Sequence, residues 1–253
     1  MRHPYHLVEP SPWPMLVSLN LLFLLISLLG YFNGFDIQNQ IKITFIIFLF
    51  VVYLWFLDIY TESLYMGFHS IKVSKGLIIG FITFILTEIM LFFSFFWAYF
   101  HSASSLIDLV WPPVGIDLVN PWGIPLLNTF LLLYSGVSAT VSHHLFINRN
   151  KNISLLYLFI SILLGIIFLF FQYFEYFYSS FDISDSVFSS TFYILTFTHG
   201  LHVILGVSLL IIVFIRLYIF NNPTLFFDIA LIYYHFVDVI WIILFILIYY
   251  LSY

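Results

Sequence analysis

The stretch LIIGFITFILTEIMLFFSFFWAYFH, residues 77–101, carries one carboxylic acid, Glu88, in the middle of an apolar run. A run of about 20 apolar residues is long enough to cross a bilayer as a helix. An ionisable group at the centre of such a helix costs about 2.5–3.5 kcal/mol on insertion scales. On an ideal helix the neighbours of Glu88 at i±3 and i±4 are all apolar, so this helix cannot supply a partner. We therefore expect the partner to come from another helix, a water or a lipid.

The composition of the whole chain indicates the same environment. Hydrophobic residues make up 63% of the 253 residues and charged residues only 8%, which excludes a soluble domain. The absence of cysteine excludes disulfides and thiolate metal sites. A net charge of −5 does not indicate the basic surface that nucleic-acid binding requires. The first residues, MRHPYHLVEPSPWP, resemble neither a transit peptide nor a secretory signal, so we expect direct insertion into the membrane.

Apolar runs between breaker residues predict an all-α, polytopic membrane protein with seven transmembrane helices in one bundle. The predicted spans lie near residues 15–32, 43–60, 77–100, 126–146, 153–178, 187–219 and 225–251. No convincing internal repeat is visible, which disfavours a secondary transporter built from inverted repeats.

The basic residues predict the orientation of these spans, because inward-facing loops carry the Lys/Arg excess. Six of the seven fall on one side of the seven-span arrangement: Arg2, Lys72, Lys75, Arg149, Lys151 and Arg216. Only Lys42 falls on the other side. The opposite loops are acidic, with Asp36, Asp108, Asp117, Asp182 and Asp185. We therefore predict an inside N-terminus and an outside C-terminus.

Polar residues also occur within the later spans, at Gln172, Glu175, His199, His202, His235, Asp238 and Trp241. The two in span 5 are interpreted as an interfacial polar cluster. His199 and His202 are three residues apart on one helix face, so this pair alone cannot bracket a haem iron, which needs ligands on two facing helices. His235 and Asp238 have the same spacing, which allows an intrahelical pair and leaves Trp241 on the same stripe to pack or donate its N–H. We expect structural hydrogen bonds here, with haem or metal ligation as the alternative.

Near the predicted inner side, charged and polar residues are candidates for lipid binding. They are Glu62, His69, Lys75 and Arg216, with Lys72 beside them. Cations at this depth can reach lipid phosphates, and arginine can do so through two parallel hydrogen bonds. Ordinary snorkelling explains any one of them, so a specific lipid site depends on several of them acting together.

Eight motifs occur in the order typical of one family. They are YHLVEPSPWP (5–14), DIYTESLYMGFH (58–69), TEIMLFFSFFWAYFHS (87–102), WPPVGI (111–116), PLLNT (125–129), SGVSATVSHH (135–144), FTHGLHVILG (197–206) and YYHFVDVIW (233–241). Over nearly its whole length the chain resembles subunit III of cytochrome c oxidases, in particular mitochondrial members of the aa3 type.

The resemblance implies a two-helix pair and a five-helix bundle separated by a V-shaped cleft that holds phospholipids. In this chain these parts correspond to residues 1–75, with helices 1 and 2, and residues 76–253, with helices 3 to 7, within a single integral membrane unit. Glu88 matches the family's intramembrane carboxylate of helix 3, which is not required for pumping itself. Glu62, His69 and Arg216 match positions near lipid headgroups. Thr61 stands where many members have Arg, which puts one lipid contact in doubt.

The resemblance also implies the partners and the chemistry. Family members bind neither haem nor copper, because haem a, haem a3 and copper belong to subunits I and II. They pack mainly against subunit I, support proton uptake and the catalytic core during turnover, and are associated with an oxygen route through the lipid-filled cleft. Accessory subunits and a supercomplex with complex III are further expected partners. The expected location is the mitochondrial inner membrane, with the N-terminus in the matrix and the C-terminus in the intermembrane space.

Two other interpretations remain open. A proton-conducting channel or transporter would use Glu88, His199, His202 and Asp238, and would be active as an isolated protein. A b-type haem protein would show a haem absorption band as a single chain. Oxidase membership predicts instead that the complex is an enzyme while this chain is not itself catalytic.

Overall fold

A computed structural model describes residues 5–104, 111–220 and 224–253 of the chain. The regular secondary structure of the described residues is entirely helical. The helices are α1 (Trp13–Phe32), α2 (Gln38–Leu64), α3 (Ile71–Ser104), α4 (Ile124–Ile147), α5 (Lys151–Phe177), α6 (Val187–Phe220) and α7 (Thr224–Leu244). The chain continues from α7 into one wider, π-helical turn, Phe245–Tyr250.

All seven helices are long and apolar enough to cross a membrane, which confirms the predicted all-α fold and span count. Most helices extend beyond their predicted apolar cores. For example, α2 begins at Gln38, and α3 includes Lys72 and Lys75 in its first turns. Polar residues continue these helices into the headgroup region, where long side chains can reach water. Arg2 and Asp108, which the orientation argument used, lie outside the described residues.

The contacts divide the chain into two units, Met1–Ile79 and Gly80–Tyr253. In the first unit α1 packs against α2, and the indole N–H of Trp13 donates to Asp58 Oδ2 at 2.9 Å. This pairing, and the grouping of the later helices in the second unit, confirm the predicted arrangement of two plus five helices. The predicted boundary after residue 75 stays a prediction.

In the second unit, small hydroxyl residues allow α4 and α5 to approach closely. Ser142 Oγ donates to the Ser154 carbonyl at 2.7 Å, and Ser154 Oγ donates to the Ser142 carbonyl at 2.8 Å. Further along α5, Ser161 Oγ donates to the Ser135 carbonyl of α4 at 2.8 Å. Without a hydrophobic driving force in lipid, small residues and interhelical hydrogen bonds are what hold such helices together.

Large aromatic side chains fill the space between α5, α6 and α7. Trp241, Tyr234 and Phe168 are fully buried, and Phe168 meets Trp241 edge to face with ring centroids 4.8 Å apart. Tyr234 also lies 2.9 Å from Ser135 Oγ, so its hydroxyl has a partner in α4. Aromatic burial and satisfied hydroxyl groups together fix the rotation of α7.

Gly165 provides a test of this packing. A Cβ atom there would lie 2.6 Å from Val207 Cγ2 and 2.8 Å from the Tyr234 hydroxyl, whereas a Cβ at Gly200 would meet no atom within 4 Å. We expect Gly165→Ala to destabilise the bundle by about 1–3 kcal/mol through overpacking, while Gly200→Ala is close to neutral. Thermal unfolding of the two purified variants measures the difference, and equal midpoints would contradict the close approach.

Candidate functional site

Glu88 and His202 form an interhelical pair in the interior of the second unit. Glu88 lies near the middle of α3 and His202 near the middle of α6, so both are several turns from either end of their helices. His202 Nε2 is 3.0 Å from Glu88 Oε2, and the two side chains are only 11% and 20% exposed. The partner of Glu88 therefore comes from another helix.

The second ring nitrogen of His202 determines how the pair shares its proton. His202 Nδ1 is 2.8 Å from the Thr198 carbonyl oxygen, which can only accept, so Nδ1 carries a hydrogen. A neutral ring then has an unprotonated Nε2, and the contact with Glu88 requires one proton between the two groups. Either a protonated Glu88 donates to Nε2, or an imidazolium donates to a carboxylate. In both forms the pair has no net charge, which reduces the cost of placing it in hydrocarbon.

Aromatic rings surround this pair. Phe92 meets the His202 ring edge to face at 5.2 Å, and Tyr233 stacks against it at 6.3 Å. Phe236 lies against the same imidazole at 6.1 Å. These apolar surroundings strengthen the hydrogen bond relative to water and make either partner costly to leave alone.

The structure also brings together His235 and Asp238 on α7. His235 Nδ1 lies 3.3 Å from Asp238 Oδ2, and Nε2 lies 2.9 Å from Thr140 Oγ1 on α4. Gly136 leaves room for this carboxyl, because a Cβ there would clash with Asp238 Oδ2. Trp241, on the same face, donates its indole N–H to Thr129 Oγ1 at 3.1 Å. These side chains connect α4 to α7.

His199 departs from the expected hydrogen bonding. It is 1% exposed, and neither ring nitrogen has a hydrogen-bond partner among the described residues. Its ring packs instead against Trp241 at 5.2 Å and Phe168 at 5.8 Å. His199 and His202 thus face different surroundings, although they are only three residues apart.

Gln172 and Glu175, near the end of α5, are buried inside the bundle. They are 5% and 4% exposed, so the bundle itself covers them. Gln172 Nε2 donates to Glu175 Oε1 at 3.2 Å, and the Tyr249 hydroxyl donates to the same oxygen.

The candidate lipid residues of the first unit form a cluster that includes one residue the sequence analysis missed. His6 Nε2 is 3.8 Å from Glu62 Oε2, and the rings of His6 and His69 are 6.0 Å apart. His6 also stacks on Phe68 at 5.0 Å. Burial and the nearby His6 lower the pKa of His69 below its ordinary value of 6.5, against the opposing effect of Glu62. Lys75 is exposed in the first turns of α3.

Arg216, the candidate lipid residue of the second unit, lies near the end of α6. Its guanidinium carbon is 5.1 Å from the centre of the Phe226 ring, a cation–π contact that fixes the start of α7 against α6. Nearby, Lys151 Nζ donates to the Tyr218 carbonyl at 3.0 Å, and so satisfies a carbonyl in the last turn of α6.

Metal ligands would have to come from a cluster of suitable side chains. Within residues 5–104, 111–220 and 224–253, no group of three or more His, Cys, Asp or Glu residues is arranged to hold a metal ion. Glu88 and His202 link α3 to α6 as a pair, and His235 and Asp238 form a pair within α7 that reaches α4 through Thr140.

The Glu88–His202 pair yields a direct prediction. Glu88→Gln keeps an N–H donor for His202 Nε2, whereas Glu88→Leu leaves that nitrogen without a partner, which costs about 1–3 kcal/mol. We expect Glu88→Leu to unfold at a clearly lower temperature than Glu88→Gln. The unfolding temperature of Glu88→Gln stays close to that of the unmodified protein. Equal losses in both variants would show that the hydrogen bond does not hold α3 to α6.

Comparison with known proteins assigns the family. Residues 3–253 match the family of cytochrome c oxidase subunit III. The chain is 44% identical to cytochrome c oxidase subunit 3 of Yarrowia lipolytica, covering 98% of this chain and 95% of the relative. It is 43% identical to that of Emericella nidulans, covering 99% and 96%, and 42% identical to that of Pisaster ochraceus, covering 98% and 97%. The chain therefore belongs to the cytochrome c oxidase subunit III family.

Proposed function

We propose that this chain is the non-redox, supporting subunit of a mitochondrial cytochrome c oxidase, the complex that passes electrons from cytochrome c to O2. Its role is to stabilise subunit I, its main partner, and to hold phospholipids beside the catalytic core. Haem a, haem a3 and copper are contributed by subunits I and II. A part in oxygen or proton delivery, and contacts with accessory subunits or complex III, rest on the family resemblance alone.

The surface of the first three helices supports this role most strongly. The chain buries only 6% of the most apolar stretch of α1, 6% of that of α2 and 11% of that of α3. The corresponding fractions for the four later helices lie between 33% and 50%. The first helices thus keep most of their apolar surface for other molecules, which in a membrane complex are lipids and neighbouring subunits.

The proposed location is the mitochondrial inner membrane, with the N-terminus in the matrix. Alternation of the helices across a membrane would place the described basic residues Lys72, Lys75, Arg149, Lys151 and Arg216 on the matrix side. The same alternation would place Lys42, near the start of α2, on the opposite side. The C-terminus would then face the intermembrane space.

The proposed lipid contacts combine different headgroup chemistry. Lys75 and Arg216 offer cations to phosphates, and Glu62 can accept from an ammonium or hydroxyl group. Because the pKa of His69 is lowered, this ring is neutral near pH 7 and contributes an N–H hydrogen bond rather than charge. As the pH falls through the lowered pKa, His69 becomes cationic and binds phosphate more strongly.

The geometry favours a supporting role over proton conduction. The channel hypothesis needs a connected chain through Glu88, His202, His199 and Asp238. Among the described residues Glu88 bonds to His202 and Asp238 bonds to His235, and no direct side-chain hydrogen bond joins one pair to the other. The Glu88–His202 bond holds α3 to α6, and His235 links α7 to α4 through Thr140.

Removal of this chain from the purified oxidase tests the supporting role. We expect the remaining complex to keep its haem absorption spectrum and its initial rate of electron transfer, because the redox centres lie in other subunits. Its activity should decline faster during continuous turnover than that of the intact complex. Loss of haem absorbance together with this chain would contradict the proposal.

A matched pair of lysine variants tests lipid binding. Lys75 and Lys42 are both exposed and both lie in the first turns of a helix, and the proposed topology puts them on opposite sides of the membrane. We expect Lys75→Ala to reduce the phospholipid retained by the detergent-purified complex, measured by native mass spectrometry, while Lys42→Ala does not. Equal retention in both variants would remove Lys75 from the lipid site.

A further inference from the structure

One end of the five-helix bundle contains buried polar atoms without partners. Neither amide atom of Asn128 and neither ring nitrogen of His199 has a hydrogen-bond partner among the described residues. The same holds for Gln172 Oε1 and Glu175 Oε2, although the other side-chain atoms of these two residues are bonded. We call Asn128, Gln172, Glu175 and His199 the buried polar layer.

These four residues lie at a similar level in the bundle. Asn128 is in the second turn of α4, and Gln172 and Glu175 are in the last turns of α5, which runs in the opposite direction. His199 is in the first half of α6. A hydrogen bond of 2.7 Å from the Tyr176 hydroxyl to Thr196 Oγ1 fixes these parts of α5 and α6 beside each other.

Side chains of α7 and of the π-helical turn that follows it connect the members of the layer. The Tyr249 hydroxyl bonds to Glu175, and the Tyr249 ring lies 5.9 Å from that of Trp241. Trp241 packs against His199 and donates its indole N–H to Thr129, the residue that follows Asn128. Trp241 thus has the imidazole on one side and the first turns of α4 on another.

No neighbouring subunit or lipid headgroup can reach these atoms, because this chain itself encloses them. Asn128 is 0% exposed and His199 1%, and the other two members are at most 5% exposed. Each buried polar group without a partner costs about 1–3 kcal/mol. Four residues in this condition in one layer call for a ligand small enough to be enclosed with them.

We propose that the buried polar layer binds enclosed water molecules. The chemistry of the atoms fits water, because a neutral imidazole and a carboxamide each present both a donor and an acceptor, while Gln172 Oε1 accepts. A water molecule can serve both kinds of atom, and buried waters in proteins typically make about three hydrogen bonds. A bare cation would leave the imidazole N–H and the amide N–H group without an acceptor. This inference does not depend on the supporting role proposed above.

A high-resolution cryo-electron microscopy map of the intact oxidase tests this proposal directly. The expected result is water density about 3 Å from a ring nitrogen of His199 and from the Asn128 amide. Other enclosed waters of the same complex, resolved in the same map, serve as the internal control. Reoriented side chains that bond directly to protein groups, with no water density at the layer, would overturn the proposal.

Radiolytic oxidation gives a second test, because radicals formed from bound water attack adjacent side chains. Trp241 and Tyr249 contact the layer, whereas Tyr234, also on α7 like Trp241, is as deeply buried but bonds to Ser135. We expect oxidation of Trp241 and Tyr249 to be several-fold faster than that of Tyr234. In ¹⁸O-labelled water, the oxidised side chains should carry the label. Equal rates for the three residues would contradict enclosed water.

The variant His199→Phe separates a hydrated layer from a dry one. Phenylalanine keeps the ring contacts with Trp241 and Phe168 but cannot bond to water. If the layer is hydrated, this change removes water density and lowers the midpoint of thermal unfolding. If the layer is dry, the change removes an unpaired polar group and raises the midpoint, which would overturn the proposal.

Discussion

The fold depends on one constraint, which is that hydrocarbon offers no hydrogen-bond partner to a polar side chain. The Glu88–His202 bond is the clearest response to it, since it joins the middle of α3 to the middle of α6 at 3.0 Å. Elsewhere α3 reaches its neighbours through long side chains, for example Tyr99, whose hydroxyl lies 2.6 Å from Ser252 Oγ. The hydrogen bonds that pair the polar groups of α3 are therefore also the contacts that attach this helix to the bundle.

The same constraint explains the other pairs in the later helices. Ser142 and Ser154 exchange hydrogen bonds between α4 and α5, and His235 connects Thr140 of α4 to Asp238 of α7. Each bond satisfies a group that would otherwise be costly and also fixes the rotation of one helix against another. The titratable groups of these pairs are thus explained by their structural role, without a role in proton transfer.

Much of this architecture can be predicted from the sequence, because apolar runs of helix length are sufficient to identify membrane spans. The His235–Asp238 contact is also predictable, since i,i+3 spacing brings two side chains together on any helix. Helix ends are less predictable. Gln38 and Lys72 belong to helices that continue past the hydrocarbon, where hydropathy no longer marks them.

Contacts between helices are beyond such reasoning. Glu88 and His202 are separated by 114 residues, and no local spacing indicates that α3 and α6 meet. The burial of Gln172 and Glu175 is not predictable either, because the sequence does not indicate the rotation of a helix that is apolar on most sides. His6 was missed because it precedes the first span, yet it contacts Glu62.

The central claim is that the polar residues of the bundle hold helices together and do not carry protons for the complex. Oxidase with Glu88→Leu, reconstituted into vesicles, tests this claim through the number of protons translocated per electron, a ratio that does not depend on how much complex survives purification. We expect the ratio of the unmodified enzyme, together with lower thermal stability. A reduced ratio in vesicles of unchanged proton permeability would contradict it and place Glu88 in a proton path.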